Sequence, residues 1–284
     1  MNTTAHLSDQ ERPVGRVTLF LLLLFGGLLV FVFASPFFAV FPTNDDPSFA
    51  GGLAAALGLA ALGLRRSTHY ARYASPVYAL FVAAAANFAL VIGPFNSLIT
   101  ATDPFRLMAQ DKMIQFLSVV PVILILSWLA RRDLGAIFVQ RGRPRRWLPF
   151  GLAGFAAGGA VMVAILLASG MSLATLRAVA PWVLVFAAAN ALMEELWFRG
   201  IFLRPYEATI GRNGAVVATA LAFGISHMNA TYFETWVAAG FGLGVVGLGV
   251  VLAWAMRWAD SLWGSVLFHM GMDFVIILPI MQSI

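Results

Sequence analysis

The chain of 284 residues is 61% hydrophobic and only 11% charged, with a mean hydropathy of +0.86. A soluble domain carries roughly 25% charged residues, so lipid is the main solvent here. Cysteine is absent, which excludes a disulfide framework, a thiol nucleophile and any cysteine-ligated metal. The net charge of +5 comes from 17 Arg and one Lys set against 13 acidic residues. These cations gather at the ends of apolar runs, as topology signals do, and no soluble basic domain is left to bind nucleic acid.

In chain order, the polar residues 1–16 lead into an apolar run at 17–41. That run is long enough to span and too long for the core of a cleavable leader, so it reads as a retained helix after a cytoplasmic tail. Further apolar runs follow at about 47–64, 76–99, 113–130, 148–169, 179–203, 213–231, 235–256 and 262–281, each near the length that crosses roughly 30 Å of hydrocarbon. The run at 47–64 is the weakest, being short and rich in Gly and Ala. The fold expected is an all-α polytopic membrane bundle of eight or nine helices.

With the N-terminus in the cytoplasm, 15 of the 18 basic residues fall on the cytoplasmic side, leaving Arg106, Lys112 and Arg177 outside. The positive-inside rule produces such a bias, and it places the chain in an inner (plasma) membrane with its N-terminus cytoplasmic. The Ala, Gly and Arg bias hints at a bacterial source. The most basic stretch, Arg131 to Arg146, reads as an orientation signal beside anionic headgroups, with an acidic partner's docking surface as the minor alternative. Three parts are expected: a tail at 1–16, helices without a recognised motif at 17–177, and a catalytic core at 178–284.

Ionisable side chains inside membrane helices cost at least about 2.5–3.5 kcal/mol each at mid-depth and mark functional sites by default. Three late spans break an otherwise apolar pattern. The sixth holds Glu194-Glu195-Leu196-Trp197-Phe198-Arg199. Glu195 and Arg199 share a helix face and can pair, whereas Glu194 points about 100° away. The seventh holds Ser226-His227, and the ninth holds His269 and Asp273, again four apart. Asp260 and Ser261 stand where a cap would start that last helix. Counted along the helices, Glu194 is about 15 Å from Arg204, His227 about 22 Å from Arg212 and His269 about 12 Å from Ser261. These depths allow one polar layer, suited to handling protons or binding a metal.

The motifs then resemble a known set. EELWFRG resembles the EExxxR motif of the CAAX prenyl endopeptidase and bacteriocin-processing (CPBP, or Abi) family of intramembrane proteases. FGISH is similar to its FxxxH motif, and SLWGSVLFHMGMD to its HxxxN/D motif, in the family's order, over about residues 180–280. The resemblance implies that Glu194 activates a water with help from His227. It implies further that Glu195 and Arg199 pair to hold the first carboxylate, and that His269 and residue 273 stabilise the oxyanion. Residue 273 is Asp here where prenyl-protein proteases of this kind commonly carry Asn; an ionised Asp has no hydrogen to donate to an oxyanion. Asp273 also completes, with Glu194, His227 and His269, a donor set that would suit Zn2+. The metal-free reading is favoured and the zinc reading stands beside it.

The expected activity is endopeptidase cleavage of a membrane-associated or lipidated peptide or protein near the cytoplasmic side. Two alternatives come from other classes. One is a non-catalytic self-immunity or scaffold protein of the same family. The other is a proton-coupled transporter, against which stands the confinement of polar residues to the last third without an internal repeat.

Overall fold

The computed structural model describes residues 15–38, 40–228 and 235–277, with the backbone alone at 235–239. Nine helices and no strand lie among them. Helix α1 (Arg16–Leu28) runs on into a π turn at Leu29–Phe33, and α2 (Pro47–Arg66), α3 (Ala74–Ile92), α4 (Pro104–Leu129) and α5 (Pro144–Ala168) follow. Helix α6 (Leu173–Glu194) also continues as a π turn, at Glu195–Gly200, ahead of α7 (Leu203–Ser226), α8 (Thr235–Ala259) and α9 (Trp263–Ile276). Eight of the described helices are long and apolar enough to cross a membrane, and α9 is shorter. The chain is therefore a multi-pass helical membrane protein by length and composition. Large apolar side chains such as Leu59, Trp128 and Leu243 point outward, as a lipid-facing surface requires.

Local chemistry sets the helix starts. Asp46 and Asp103 each precede a proline at the first helical position and accept a hydrogen bond from a backbone N–H inside the turn, Ser48 and Arg106 respectively. Helix α4 thus begins at Pro104, nine residues before the apolar run at 113, because a cap and not hydropathy starts it. Residues 203–212, polar and read as a connection, are helical too. Helix α7 bends at Gly211, whose φ of 80° suits a residue without a side chain. Of the final run, expected at 262–281, α9 covers Trp263–Ile276, and residues 278–284 lie outside those described.

Of the two residues expected to cap this helix, Ser261 accepts from the Trp263 N–H at 3.4 Å and Asp260 does not cap it. Leu262 takes the capping position without a side-chain bond. Asp260 instead turns the chain with φ of 55° and pairs with Arg204 across 2.7 Å. Its carbonyl accepts from Gln140 Nε2 at 2.9 Å, while Ser261 Oγ donates to the Gln140 carbonyl at 2.8 Å. Arg146 donates to the Trp258 carbonyl and lies 5.3 Å from that indole's centre. The basic stretch 131–146 therefore closes over the α8–α9 turn as well as carrying charge.

Two packing features position the late helices. Glycines on α5 and α9 bring the two backbones together: a Cβ on Gly158 would strike the Gly271 backbone, and one on Gly154 would strike Phe268. An aromatic block backs the α6 π turn. Phe31 stacks on Phe198 at 4.1 Å between ring centres, Phe198 meets Phe223 edge-on at 4.9 Å, and Trp197 Nε1 donates to the Ala83 carbonyl at 3.2 Å. This block is buried, so the widened turn is held from outside.

Candidate active site

The end of α6, the end of α7 and the middle of α9 converge on one buried cluster. Arg199 and Glu195 are both fully buried and pair through Nη1 and Oε1 at 2.5 Å. The guanidinium also lies 4.2 Å from the centre of the Phe223 ring, and its Nε donates to the Gly249 carbonyl on α8 at 3.4 Å. The same Glu195 oxygen accepts from His269 Nδ1 at 2.8 Å. Glu195 is thus the joint between α6 and α9, and it aims His269 as well as neutralising Arg199.

With Nδ1 committed to a carboxylate, His269 turns Nε2 toward Glu194 Oε2 and Asp273 Oδ1, each 3.6 Å away. His227 is oriented in a comparable manner. Its Nδ1 lies 2.7 Å from the Phe223 carbonyl, which can only accept, so the hydrogen sits on Nδ1. The Nε2 lone pair is left to face Glu194 Oε2 at 3.8 Å. Glu194 Oε2 is buried with no hydrogen-bond partner from the protein. A carboxylate oxygen shielded from solvent without a partner calls for a polar ligand.

Two side chains that the sequence reading passed over complete the cluster. Asn190 Nδ2 donates to both Asp273 oxygens, at 3.3 and 3.2 Å. It stands four residues before Glu194 in an otherwise apolar stretch, and that spacing was the available signal. Lys112, the one lysine in the chain, comes from α4 and lines the same cavity as Glu194, His227, His269 and Asp273. The cavity measures about 90 Å³, room for a few waters.

All six residues singled out from the sequence therefore meet in one place. Four of them make up the zinc donor set, yet among the described residues no group of three His, Cys, Asp or Glu side chains is placed to hold a metal ion. Asp273 directs both oxygens at Asn190, whereas both histidines keep Nε2 on the side of Glu194. Among the described residues these side chains are thus not gathered around one point as a zinc centre requires.

The cluster thus sets a buried carboxylate between two oriented imidazoles inside a multi-pass helical bundle. Residues 176–275 match the family model described as type II CAAX prenyl endopeptidase Rce1-like, the family that the three motifs resemble. The match spans about a third of the chain and is a likeness to a family of CAAX-type endopeptidases. No curated protein and no solved structure matches the chain.

Proposed function

We propose that the chain is an intramembrane endopeptidase that hydrolyses a peptide bond in a membrane-associated or lipidated peptide or protein, using a water activated by Glu194 and His227. One observation carries this reading. Glu194 Oε2 lacks a protein partner and lies 3.8 Å from a His227 Nε2 whose lone pair faces it. A water placed beside this gap can donate to both atoms through hydrogen bonds of about 2.8 Å.

In this mechanism the water gives its proton to Glu194 as its oxygen attacks the scissile carbonyl, with His227 Nε2 accepting the second water hydrogen bond. The carbonyl oxygen becomes an oxyanion beside His269, which acts as an imidazolium, donating from Nε2 to the oxyanion while Nδ1 donates to Glu195 and fixes its direction. Collapse of the tetrahedral intermediate breaks the C–N bond, and the proton held by Glu194 passes to the leaving amine. Arg199 pairs with Glu195 and holds it in place, and Asn190 holds Asp273 beside His269. The core is assigned to residues 178–284, and the arginine bias supports an inner-membrane orientation with the N-terminus cytoplasmic.

The test is cleavage of a labelled peptide by purified protein. Glu194→Gln and His227→Ala are each expected to lower the rate by about 10²–10⁴-fold while leaving thermal unfolding near that of the unsubstituted protein. Undiminished cleavage by both variants would remove these residues from the mechanism.

A further inference from the structure

A second cavity, of about 410 Å³, lies among α2, α3 and the end of α4. Its floor is apolar, with Gly58, Leu62 and Phe81 from membrane-spanning helices. Tyr78 directs its hydroxyl to the Leu126 carbonyl at 2.6 Å, so it offers the cavity a ring. The mouth carries Arg65, in the last turn of α2, and Arg132, just beyond α4. Arg132 is half-buried, donating from Nη2 to Ser75 Oγ at 3.0 Å with its guanidinium 4.9 Å from the Tyr78 ring centre. Among the described residues no carboxylate pairs with Arg65 or Arg132.

Arginines at the ends of spans stand at the level of lipid phosphates, whereas the apolar floor extends to the level of acyl chains. Helix α2 is also the least buried of the candidate spans, so the cavity opens toward lipid. The carbonyl ends of α2 and α4 repel an anion, which leaves the two guanidinium groups to carry its recognition.

We propose that this cavity holds one anionic phospholipid, its phosphate between Arg65 and Arg132 and an acyl chain along Leu62 and Phe81. The site is separate from the hydrolytic centre. Lys112, about a third of the way along α4, and Ala130, just past its end, line the two cavities and stand about 27 Å apart along the helix.

Native mass spectrometry of the purified full-length protein tests the proposal, with phosphatidylglycerol and phosphatidylcholine offered in competition. One phosphatidylglycerol is expected to stay bound in preference to phosphatidylcholine. The double substitution Arg65→Gln/Arg132→Gln is expected to lower its retention about tenfold or more. Leu62→Trp, which fills the cavity and keeps both charges, is expected to release the lipid as well, while Arg65→Lys/Arg132→Lys keeps most of it. Equal retention of the two lipids, or phosphatidylglycerol persisting on both the Gln and the Trp variants, would overturn the proposal. So would displacement by an equal concentration of inorganic phosphate, which would show that the acyl chain contributes nothing.

Discussion

His269 donates from Nδ1 to Glu195 Oε1 across 2.8 Å, and that bond ties the middle of α9 to the π turn ending α6. The oxygen is shared with Arg199 at 2.5 Å. A single carboxylate atom therefore sets both the charge balance of the buried cluster and the direction of an imidazole that faces the cavity. Stability and chemistry can be separated by experiment at this point.

Glu195→Ala leaves the Arg199 guanidinium buried without its counter-ion. Breaking a buried pair in this way costs about 3–5 kcal/mol, and the thermal midpoint of the detergent-solubilised protein is expected to fall accordingly. The paired substitution Glu195→Leu/Arg199→Met removes both charges and is expected to regain most of that stability. Peptide cleavage is not expected to return, because His269 still lacks its Nδ1 acceptor.

Asp273→Asn gives residue 273 a hydrogen to donate while keeping an oxygen for Asn190. Cleavage by this variant is expected to stay within about tenfold of the unsubstituted rate. Asp273→Leu, which offers neither, is expected to lose about 10²–10³-fold in kcat, the worth of one displaced oxyanion donor or its support. Equal losses in both would show that the charge of Asp273, and not its hydrogen bonding, matters.

Gly158→Ala sets a methyl group against the Gly271 backbone, and α9 must move to accommodate it. Overpacking of this kind costs about 1–3 kcal/mol, read as a lowered thermal midpoint. Since α9 carries His269 and Asp273, cleavage is expected to drop by more than the fraction of unfolded protein explains.

Asn190→Leu removes the donor that faces both Asp273 oxygens and leaves a buried carboxyl with fewer partners. An unmade hydrogen bond to a charged group costs about 1.5–3 kcal/mol. A lowered kcat with little change in KM is expected, measured beside Asn190→Asp, which adds repulsion and is expected to fare worse.

Much of this arrangement was legible in the residues. The spans show because lipid imposes apolar length on a helix, and Glu194, His227 and His269 show because each interrupts such a run. Helix ends were less legible. The stretches 104–112 and 203–212 are polar, and hydropathy reports solvent, not backbone conformation. The pairing of Glu195 with His269 was hidden for another reason. A four-residue spacing to Arg199 signals a local partner, but nothing in the spacing announces a second one 74 residues away. Lys112 escaped notice because it precedes its apolar run and reads as a boundary charge until α4 is seen to start earlier.

The π turn at Glu195–Gly200 bears on how this segment can change. Such a turn is an α-helix that has absorbed one additional residue, and it is found mostly at functional positions. Removing one residue would let the backbone close to ordinary helical spacing with α6 and α7 barely displaced, while Glu195 lost its aim at α9. Insertions and deletions here would act on chemistry and leave the scaffold standing, so length at this turn is a variable that selection can adjust apart from folding.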